Sequence, residues 1–516
     1  MRTHAKRLLS CLLVAFCLLM PAMAQSDNEL QKLYDEAIDY YQGTNGKQKD
    51  HAKAAELLLQ LAEKGVAVAQ SWMGYLYEYG DGVQQNAAEA VKWYRKAAEQ
   101  DLPDAQCSLG VCYYNGFGVK KDYRQAAMWF SRAAQKGHAR GLNNLGSCYE
   151  EGIGVEKDKN KAYGIYVMAI QNGSETALEA LSKAANEDTE AKWNLALCYH
   201  KGYGVLQNAA EALRLYREAA EAGNARAMLS LAACYESGDL VEQDESQAVA
   251  WLQKSAEKGN ANALYILGAW YLYGQHMEKD VAKGVELLMR AAQKNDGNAL
   301  YLMSELYKNG TGVEKDPTKE FRMLADAARQ NHEQAMQQLT HMAENGNVQA
   351  QREMAICYES GKGVEKDMAK ALQWYTKAAD QGDAESQFDA AEFHAHGYGN
   401  VKINHAEALR YYKAAARQGH KFAQYEAGSR CLLKTDDKEA EAEGIKWLTL
   451  AAQQGCHDAM SKLGDHYSKH LGAPGNAAEA AKWYKMAYEQ PNDNQPLIDI
   501  RMKREGWSEY LNSIRT

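Results

Sequence analysis

The sequence lacks an excess of positive charge and, beyond its first 24 residues, any apolar run that could cross a bilayer. Its 59 Lys and Arg residues are outnumbered by 68 Asp and Glu residues, a net charge of −9. An acidic surface disfavours nucleic acid and anionic lipid as partners, because both are bound through Lys and Arg. Proline (6) and phenylalanine (7) are scarce, but 46% of residues are apolar, enough for a core. Disorder is therefore excluded.

The first 24 residues have the three parts of a secretory signal. Three basic residues come first, residues 8–20 are apolar, and the small-x-small triplet at 22–24 precedes Gln25. The apolar part is too short to span a bilayer comfortably. We therefore expect cleavage before Gln25 and export to the periplasm or the medium. The mature chain would carry 68 acids and 56 bases, a net charge of −12.

What the chain has in abundance is repetition. A loop of the form GFGVKKD recurs with variations at a spacing of 36 residues, except for one step of 50 and one of 51. A fixed period of this length is typical of repeat architectures. The nine copies begin at Gly80, Gly116, Gly152, Gly202, Gly238, Gly274, Gly310, Gly361 and Gly397.

Each copy of the loop is flanked by two predicted helices. Before it, apolar residues recur every four positions, as at Ala105, Leu109 and Tyr113. After it, an Asp or Asn precedes a wide apolar stripe at i, i+3, i+4, i+7 and i+8. In one copy that stripe is Ala90, Trp93, Tyr94, Ala97 and Ala98. The second helices are predicted to start near 51, 86, 122, 158, 208, 244, 280, 316, 367, 405, 441 and 476.

The loop itself does not match a nucleotide site. A dinucleotide fingerprint needs a third glycine where Lys121 stands, and a preceding strand where a helix is predicted. Each position has a structural explanation instead. Gly116 would end the first helix at positive φ, and Asp122 would cap the second. Glycines inside the first helices, at Gly74, Gly110, Gly146 and Gly268, predict close approach between helices.

The motif Ala-x-x-x-Leu-Gly-x-x-Tyr-x-x-Gly-x-Gly-Val, followed by Ala-x-x-Trp-Tyr-x-x-Ala-Ala, resembles the SEL-like repeat family (SEL-one-like, SLR), a branch of the tetratricopeptide superfamily. It is read at residues 105–119 and 90–98. The resemblance implies an all-α fold, a right-handed superhelical solenoid of about 12 αα-hairpins over residues 25–490. Stacked neighbours would bury the stripe that one hairpin cannot.

The two long steps predict two inserted helices, near 174–188 and 332–346. They interrupt the alternation of first and second helices and lie 158 to 159 residues apart, which suggests duplication of a block of hairpins. Atypical ends are expected of a repeat array. Residues 491–516 are predicted to form a C-terminal cap or tail, with apolar side chains at Ile498, Ile500, Trp507 and Leu511 available to cover the last hairpin.

Cysteine and histidine give little evidence for catalysis or metal binding. Five cysteines share one helical register about one repeat apart, too far for a bridge, and are expected to be buried thiols. The pair His466 and His470 lies at i, i+4 without a third ligand nearby, so a solvated pair is favoured over a metal site. No HExxH or Gly-x-Ser-x-Gly motif occurs. We expect no cofactor and no metal.

The family resemblance implies a non-catalytic scaffold or adaptor that binds a protein or peptide along a concave surface formed by the first helices, and we expect the chain to be a monomer. Two alternatives stay open. Cysteine-rich relatives suggest an envelope protein that binds or hydrolyses β-lactams or peptidoglycan fragments, although Ala97 and Ala98 occupy the positions of their paired cysteines. Exposed aromatics suggest a carbohydrate-binding envelope protein. The candidate partner-binding residues are Tyr75, Tyr79, Tyr114, Asn115, Asn143, Trp193, His200, Tyr265, Tyr273, Tyr301, Arg352, Phe388 and Tyr425.

Overall fold

The computed structural model describes residues 26–433, 437–469 and 476–489. The predicted targeting segment at 1–24, the predicted cap at 491–516 and His470, the second histidine of the predicted solvated pair, lie outside the described residues. Within them the chain forms 26 α-helices and one short 3-10 turn, Tyr398–Asn400, with no strand. None of the described helices combines the length and the apolar character needed to cross a membrane.

The chain divides into two compact units, residues 1–263 and 264–516, with the boundary inside one helix. Up to and including that helix, the described elements are α1 (Ser26–Gln42), α2 (His51–Glu63), α3 (Ala67–Tyr79), α4 (Ala87–Glu99), α5 (Pro103–Asn115), α6 (Tyr123–Gln135), α7 (Ala139–Glu151), α8 (Lys159–Gln171), α9 (Glu175–Ala184), α10 (Thr189–Lys201), α11 (Ala209–Glu221), α12 (Ala225–Ser237), α13 (Glu245–Glu257) and α14 (Ala261–Tyr273).

The second unit continues with α15 (Val281–Ala292), α16 (Gly297–Asn309), α17 (Pro317–Arg329), α18 (Glu333–Glu344), α19 (Val348–Ser360), α20 (Met368–Asp380), α21 (Ala384–His396), α22 (His405–Arg417), α23 (Lys421–Cys431), α24 (Lys438–Gln453), α25 (His457–Lys469) and α26 (Asn476–Glu489). Within each unit successive hairpins pack against their neighbours, as the repeat pattern predicts.

The predicted roles of Gly116 as a helix end and of Asp122 as a helix cap are confirmed. Gly116 ends α5 at φ +75°, and the Asp122 carboxylate accepts the Gln125 N–H at 3.0 Å. One start was wrong: α24 begins at Lys438 rather than near 441, because Asp437 caps it by accepting N–H groups of the first turn. Side-chain caps recur before the second helices, at Asp50, Asn86, Asp122, Asp158, Asn208, Asp244, Asp280, Asp316, Asp367, Asn404 and Asp437.

Where a first helix carries the predicted glycine, that glycine marks close contact inside the hairpin. A Cβ added to Gly146 would stand 2.6 Å from the Tyr166 ring, and one on Gly110 would stand 2.7 Å from Phe130. An aromatic ring of the second helix therefore lies directly on the backbone of the first. In another hairpin two glycines, Gly428 and Gly444, face each other instead, and the backbones of the two helices approach one another.

Both inserted helices are present, as α9 and α18, and share one apolar register. Each is shorter than predicted because turns occupy the last residues of the segment. Ser174 caps α9 and His332 caps α18, in each case by accepting a backbone N–H. Each insert buries an Ala-x-x-x-Leu-x-x-x-Ala series: Ala177 and Leu181 in α9 with Ala185 at its C-cap, and Ala335, Leu339 and Ala343 in α18.

The eight cysteines of the described residues are buried and unbridged, which confirms their prediction as buried thiols. They contribute to cores made largely of alanine, leucine and aromatic side chains from both helices of each hairpin. The predicted apolar stripe of α4, from Ala90 to Ala98, is likewise buried. Both helices of a hairpin therefore contribute buried residues to the core, and only some positions of each first helix remain accessible to solvent.

Candidate functional site

The candidate partner-binding residues fall into four registers of the first helices. None is fully buried: Tyr79, Tyr273 and Asn115 are exposed and the others are half-buried. Tyr79, Tyr273 and Asn115 are the last residues of their helices, where the chain leaves the core. Tyr114 and His200 are next to last and Tyr75 is the ninth. The fifth residue of a first helix supplies the rest, at Asn143, Trp193, Tyr265, Tyr301, Arg352, Phe388 and Tyr425.

One small cleft in the first unit brings two of these residues together. Tyr75 and Tyr79 lie one turn apart on α3, with ring centroids 4.7 Å apart. Trp72, which is buried, supports Tyr75 edge-on at 5.8 Å. The same cleft, about 40 Å³, is lined from later hairpins by Val111 of α5 and Arg140 of α7. Three consecutive first helices therefore present one accessible surface, which we call the Tyr79 cleft.

Charge in the Tyr79 cleft is arranged around Glu78. The buried hydroxyl of Tyr94 donates a hydrogen bond of 2.6 Å to Glu78 Oε2, which orients this carboxylate. Burial, together with Glu78, raises the pKa of Tyr94 well above its usual value, so the hydroxyl keeps its proton. Burial also raises the pKa of Tyr79, and Arg140 opposes that shift. The cleft thus combines tyrosine rings and hydroxyls with one carboxylate and one guanidinium.

Four of the seven fifth-position side chains contact a later helix or the residue that caps it. The Trp193 indole donates to Ser230 Oγ at 2.9 Å, and Arg226 lies over its ring at 5.3 Å. Phe388 stacks on His420 with centroids 4.5 Å apart. Tyr301 stacks on His332, and Arg352 Nη1 donates to Asp383 at 3.0 Å. These residues join neighbouring helices while part of each stays accessible.

Other candidates make individual contacts and do not share a cleft with one another. His200 Nε2 lies 2.8 Å from Asp239 Oδ2, and His200 lowers the pKa of that carboxyl. Tyr114 meets Tyr123 edge-on at 5.3 Å, beside exposed Asn115. Burial raises the pKa of Tyr265 and of Tyr425. The structure therefore does not gather all the predicted residues into one site.

Sequence reasoning missed the partners of the tyrosines. A tyrosine in the second helix bonds a carboxylate 16 residues earlier in several hairpins, as Tyr166 does with Glu150 and Tyr375 with Glu359, both at 2.7 Å. That recurrent spacing is visible in the sequence and would have identified Glu78. No sequence spacing would have identified Arg140, because only the stacking of hairpins brings its side chain to the cleft.

The described residues hold no group of three or more His, Cys, Asp or Glu side chains placed to bind a metal ion. His466 Nε2 lies 3.3 Å from Glu441. Burial raises the pKa of Cys112 to about 12 and that of Cys148 to about 11, so both thiols stay protonated at neutral pH. The accessible surfaces are suited to binding through aromatic rings and charged groups.

Comparison with known proteins agrees with this architecture. The Sel1 repeat model matches twelve segments of the chain: 37–66, 67–102, 103–138, 139–174, 189–224, 225–260, 261–296, 297–332, 348–383, 384–420, 422–456 and 457–492. The two long gaps between matched segments, 175–188 and 333–347, contain the inserted helices α9 and α18. No curated protein matches the sequence.

Similar solved structures include a protective antigen of uropathogenic Escherichia coli with an SLR fold, at 27% identity over 92% of this chain and 94% of that one, with a TM-score of 0.28. A Sel1 repeat protein of Oxalobacter formigenes is 33% identical over 46% of this chain and 90% of its own length, with a TM-score of 0.29. Sel1 repeats generally mediate protein–protein interaction, typically without catalysis. On the twelve repeat matches, the chain belongs to the Sel1 repeat family.

Proposed function

We propose that this protein is an exported, non-catalytic scaffold that binds a protein or peptide partner on the accessible registers of its first helices. The observation that carries the proposal is the Tyr79 cleft, where three consecutive first helices place Tyr75, Tyr79 and Arg140 around one accessible surface. Tyrosine and arginine are the residue types that contribute most to binding at protein interfaces.

The side chains of the Tyr79 cleft are already held in place by neighbouring residues, which favours binding. Trp72 is buried beneath Tyr75, and Tyr94 holds Glu78 through its hydroxyl. Tyrosine has few rotatable bonds, so ordering it against a partner costs little conformational entropy. A segment with an apolar side chain and a hydrogen-bonding group would contact the rings of Tyr75 and Tyr79 and reach Arg140.

The partner-binding proposal is tested by photocrosslinking in the cell of origin. A benzoylphenylalanine residue is placed at Tyr79, which is 55% exposed, and a matched one at Met168, which is 50% exposed and lies on a second helix of the same unit. We expect a defined crosslinked protein from position 79 that is absent from position 168 and is lost when Tyr75 is changed to alanine. Identical products from both positions would refute the role of the cleft.

Export is tested separately, because it rests on the basic, apolar and small-x-small pattern of residues 1–24. We expect the protein from the envelope fraction or the medium to begin at Gln25 when its N-terminus is determined by mass spectrometry. A protein that keeps Met1 and fractionates with the cytosol would contradict export and leave the binding proposal unaffected.

A further inference from the structure

A second accessible cleft lies beside the inserted helix of the second unit. The helix α18 stands between α17, a second helix, and α19, the first helix of the next hairpin. Elsewhere among the described helices, except at α8 before the other insert, a second helix is followed directly by the next first helix. The cleft of about 340 Å³ is lined by one face of α17 and the N-terminal half of α19, and by no residue of α18. We call it the Arg322 cleft.

The Arg322 cleft is lined by several arginines, of which Arg329 is held by two carboxylates, that of Asp326 at 2.8 Å and that of Glu353. Three arginines, Arg322, Arg329 and Arg352, face it with a single carboxylate, Glu353. That carboxylate is already neutralised, because Arg329 Nη2 donates to Glu353 Oε2 at 2.6 Å. Among the described residues the Arg329 Nε–H is buried and has no hydrogen-bond partner.

The other two arginines differ in how they are held. Arg352 Nη1 donates to both oxygens of Asp383, at 3.0 and 3.3 Å, which fixes one side of its guanidinium. Arg322 is exposed and makes no ion pair with any described residue. A guanidinium carries five N–H donors in a planar fork, so both side chains keep donors available for another acceptor.

The cleft also has an apolar part. Phe321 is half-buried against the core of these helices, and Ala325, one turn further along α17, is buried. An occupant that satisfies the whole lining therefore needs a negatively charged group beside an apolar one. A carboxylate accepts two parallel N–H bonds from an arginine, which makes an acidic side chain a good geometric match.

We propose that the Arg322 cleft binds an acidic segment of a partner protein, in which an Asp or Glu carboxylate accepts hydrogen bonds from Arg322 and Arg352 while a neighbouring apolar side chain contacts Phe321. The inference rests on the proposed protein-binding function and adds the chemistry of the partner. It also assigns a role to α18, which separates α17 from α19 and so leaves the cleft between them.

The test uses the purified chain and a fluorescein-labelled octapeptide of alternating Leu and Glu, followed by fluorescence anisotropy. The matched probe carries Gln in place of Glu. We expect the Leu-Glu peptide to bind and Arg322→Gln to weaken it about tenfold, since one charge-assisted hydrogen bond contributes that much. Combining Arg322→Gln with Arg352→Gln should weaken it further. The control, Arg410→Gln, removes another exposed arginine of the same unit, which pairs with Glu407.

Equal effects of Arg322→Gln and Arg410→Gln would overturn the proposal, because the peptide would then respond only to net charge. So would equal binding of the Leu-Glu and Leu-Gln peptides, or no binding up to about 1 mM, the weak end of recognition. Displacement of the peptide by millimolar inorganic phosphate or by a short oligothymidylate would assign the cleft to phosphate instead. Crosslinking at position 79 is read independently of each of these outcomes, so failure here is distinguishable from failure of the proposed function.

Discussion

The two inserted helices occupy equivalent places in their units, yet they produce different surfaces. Both inserts bury alanine, leucine and alanine four residues apart, and the last alanine of the first insert, Ala185, directly follows α9. The flanking helices differ. Where α17 and α19 carry Arg322, Arg329 and Arg352, the same registers of α8 and α10 carry Gly164, Gln171 and Trp193.

The contacts of α18 explain how one helix continues the stack in place of a hairpin. At its start, His332 and Gln338 contact Tyr301, as the beginning of a first helix would. At its end, the carbonyl of Ala343 accepts a bond from the buried side chain of Gln351. Second helices supply that carbonyl elsewhere, as Ala379 does for Gln387. The buried register of an insert is thus constrained by its neighbours, while the flanking surface is free to acquire a function.

The largest expected effect is the loss of a buried leucine in either insert. Leu181→Ala and Leu339→Ala each remove a side chain with no solvent exposure, and each should lower the free energy of unfolding by about 2–5 kcal/mol. Urea denaturation followed by circular dichroism measures the cost, with the exposed changes Glu179→Ala and Gln334→Ala as controls. If the leucine variant of only one insert lost less stability than the exposed control of that insert, the two inserts would not be packed equivalently.

A smaller difference is expected in the hairpins that precede the inserts. Gly146 lies under the Tyr166 ring, whereas Ser304 and Leu324 occupy the same registers before α18. Gly146→Ser should therefore destabilise the fold by about 1–3 kcal/mol through overpacking. Ser304→Gly should cost about 0.5–1 kcal/mol through backbone entropy. Thermal denaturation compares them, and Tyr166→Leu should restore stability to Gly146→Ser. If Tyr166→Leu did not restore the stability of Gly146→Ser, the destabilisation would not come from contact with the Tyr166 ring.

The caps of the two inserts should respond differently to pH. His332 caps α18 by accepting the Ala335 N–H at Nδ1, so the ring must be neutral there, and burial lowers its pKa although Asp296 opposes the shift. A histidine whose folded pKa is lowered contributes stability above its unfolded pKa of about 6.5, and this is lost as the pH falls below that value. The loss should be about 1 kcal/mol.

Amide hydrogen exchange of α18 between pH 7.5 and 5 would measure this loss. The variant His332→Ser should make α18 behave like α9, whose serine cap does not titrate in this range. An unchanged pH dependence in the variant would assign the effect to another group.

The smallest effect concerns the register of Arg322. A Cβ on Gly164 would meet no atom within 4 Å, so Gly164→Arg should stabilise α8 by up to about 1 kcal/mol, as Gly164→Ala should. It should not create binding of the Leu-Glu peptide, because Gln171 and Trp193 replace the other two arginines. Thermal denaturation and anisotropy check the two statements. Peptide binding by Gly164→Arg would mean that one arginine suffices.

Much of the fold could be predicted because the same residue types recur at the helix ends and helix caps of successive repeats. Gly116 could be identified as a helix end, and Asp122 as a cap, because their equivalents recur at a fixed period. The start of α24 was missed because Asp437 caps the helix three residues before the apolar repeat resumes. Local rules decide where helices begin and end, and they act through hydrogen bonds within a few residues.

The residues that line the two clefts could be predicted only in part. The register placed Tyr75, Tyr79 and Arg352 on accessible positions of first helices, but it did not separate side chains that share a cleft from those held singly, such as His200. Arg322 and Arg329 were missed because they belong to a second helix, which the repeat assigns to packing. Periodicity identifies the face of a helix and not the neighbour that meets it.

The sequence by itself determined the class of fold, the hairpin repeat, the buried register and the presence of two inserts, because these follow from helical periodicity, capping and the burial of apolar side chains. Only the tertiary structure decided that Arg140 reaches the Tyr79 cleft from two hairpins away, and that α18 leaves three arginines around one space. The physical reason is that such surfaces depend on the packing of helices distant in sequence, and no local pattern encodes that packing.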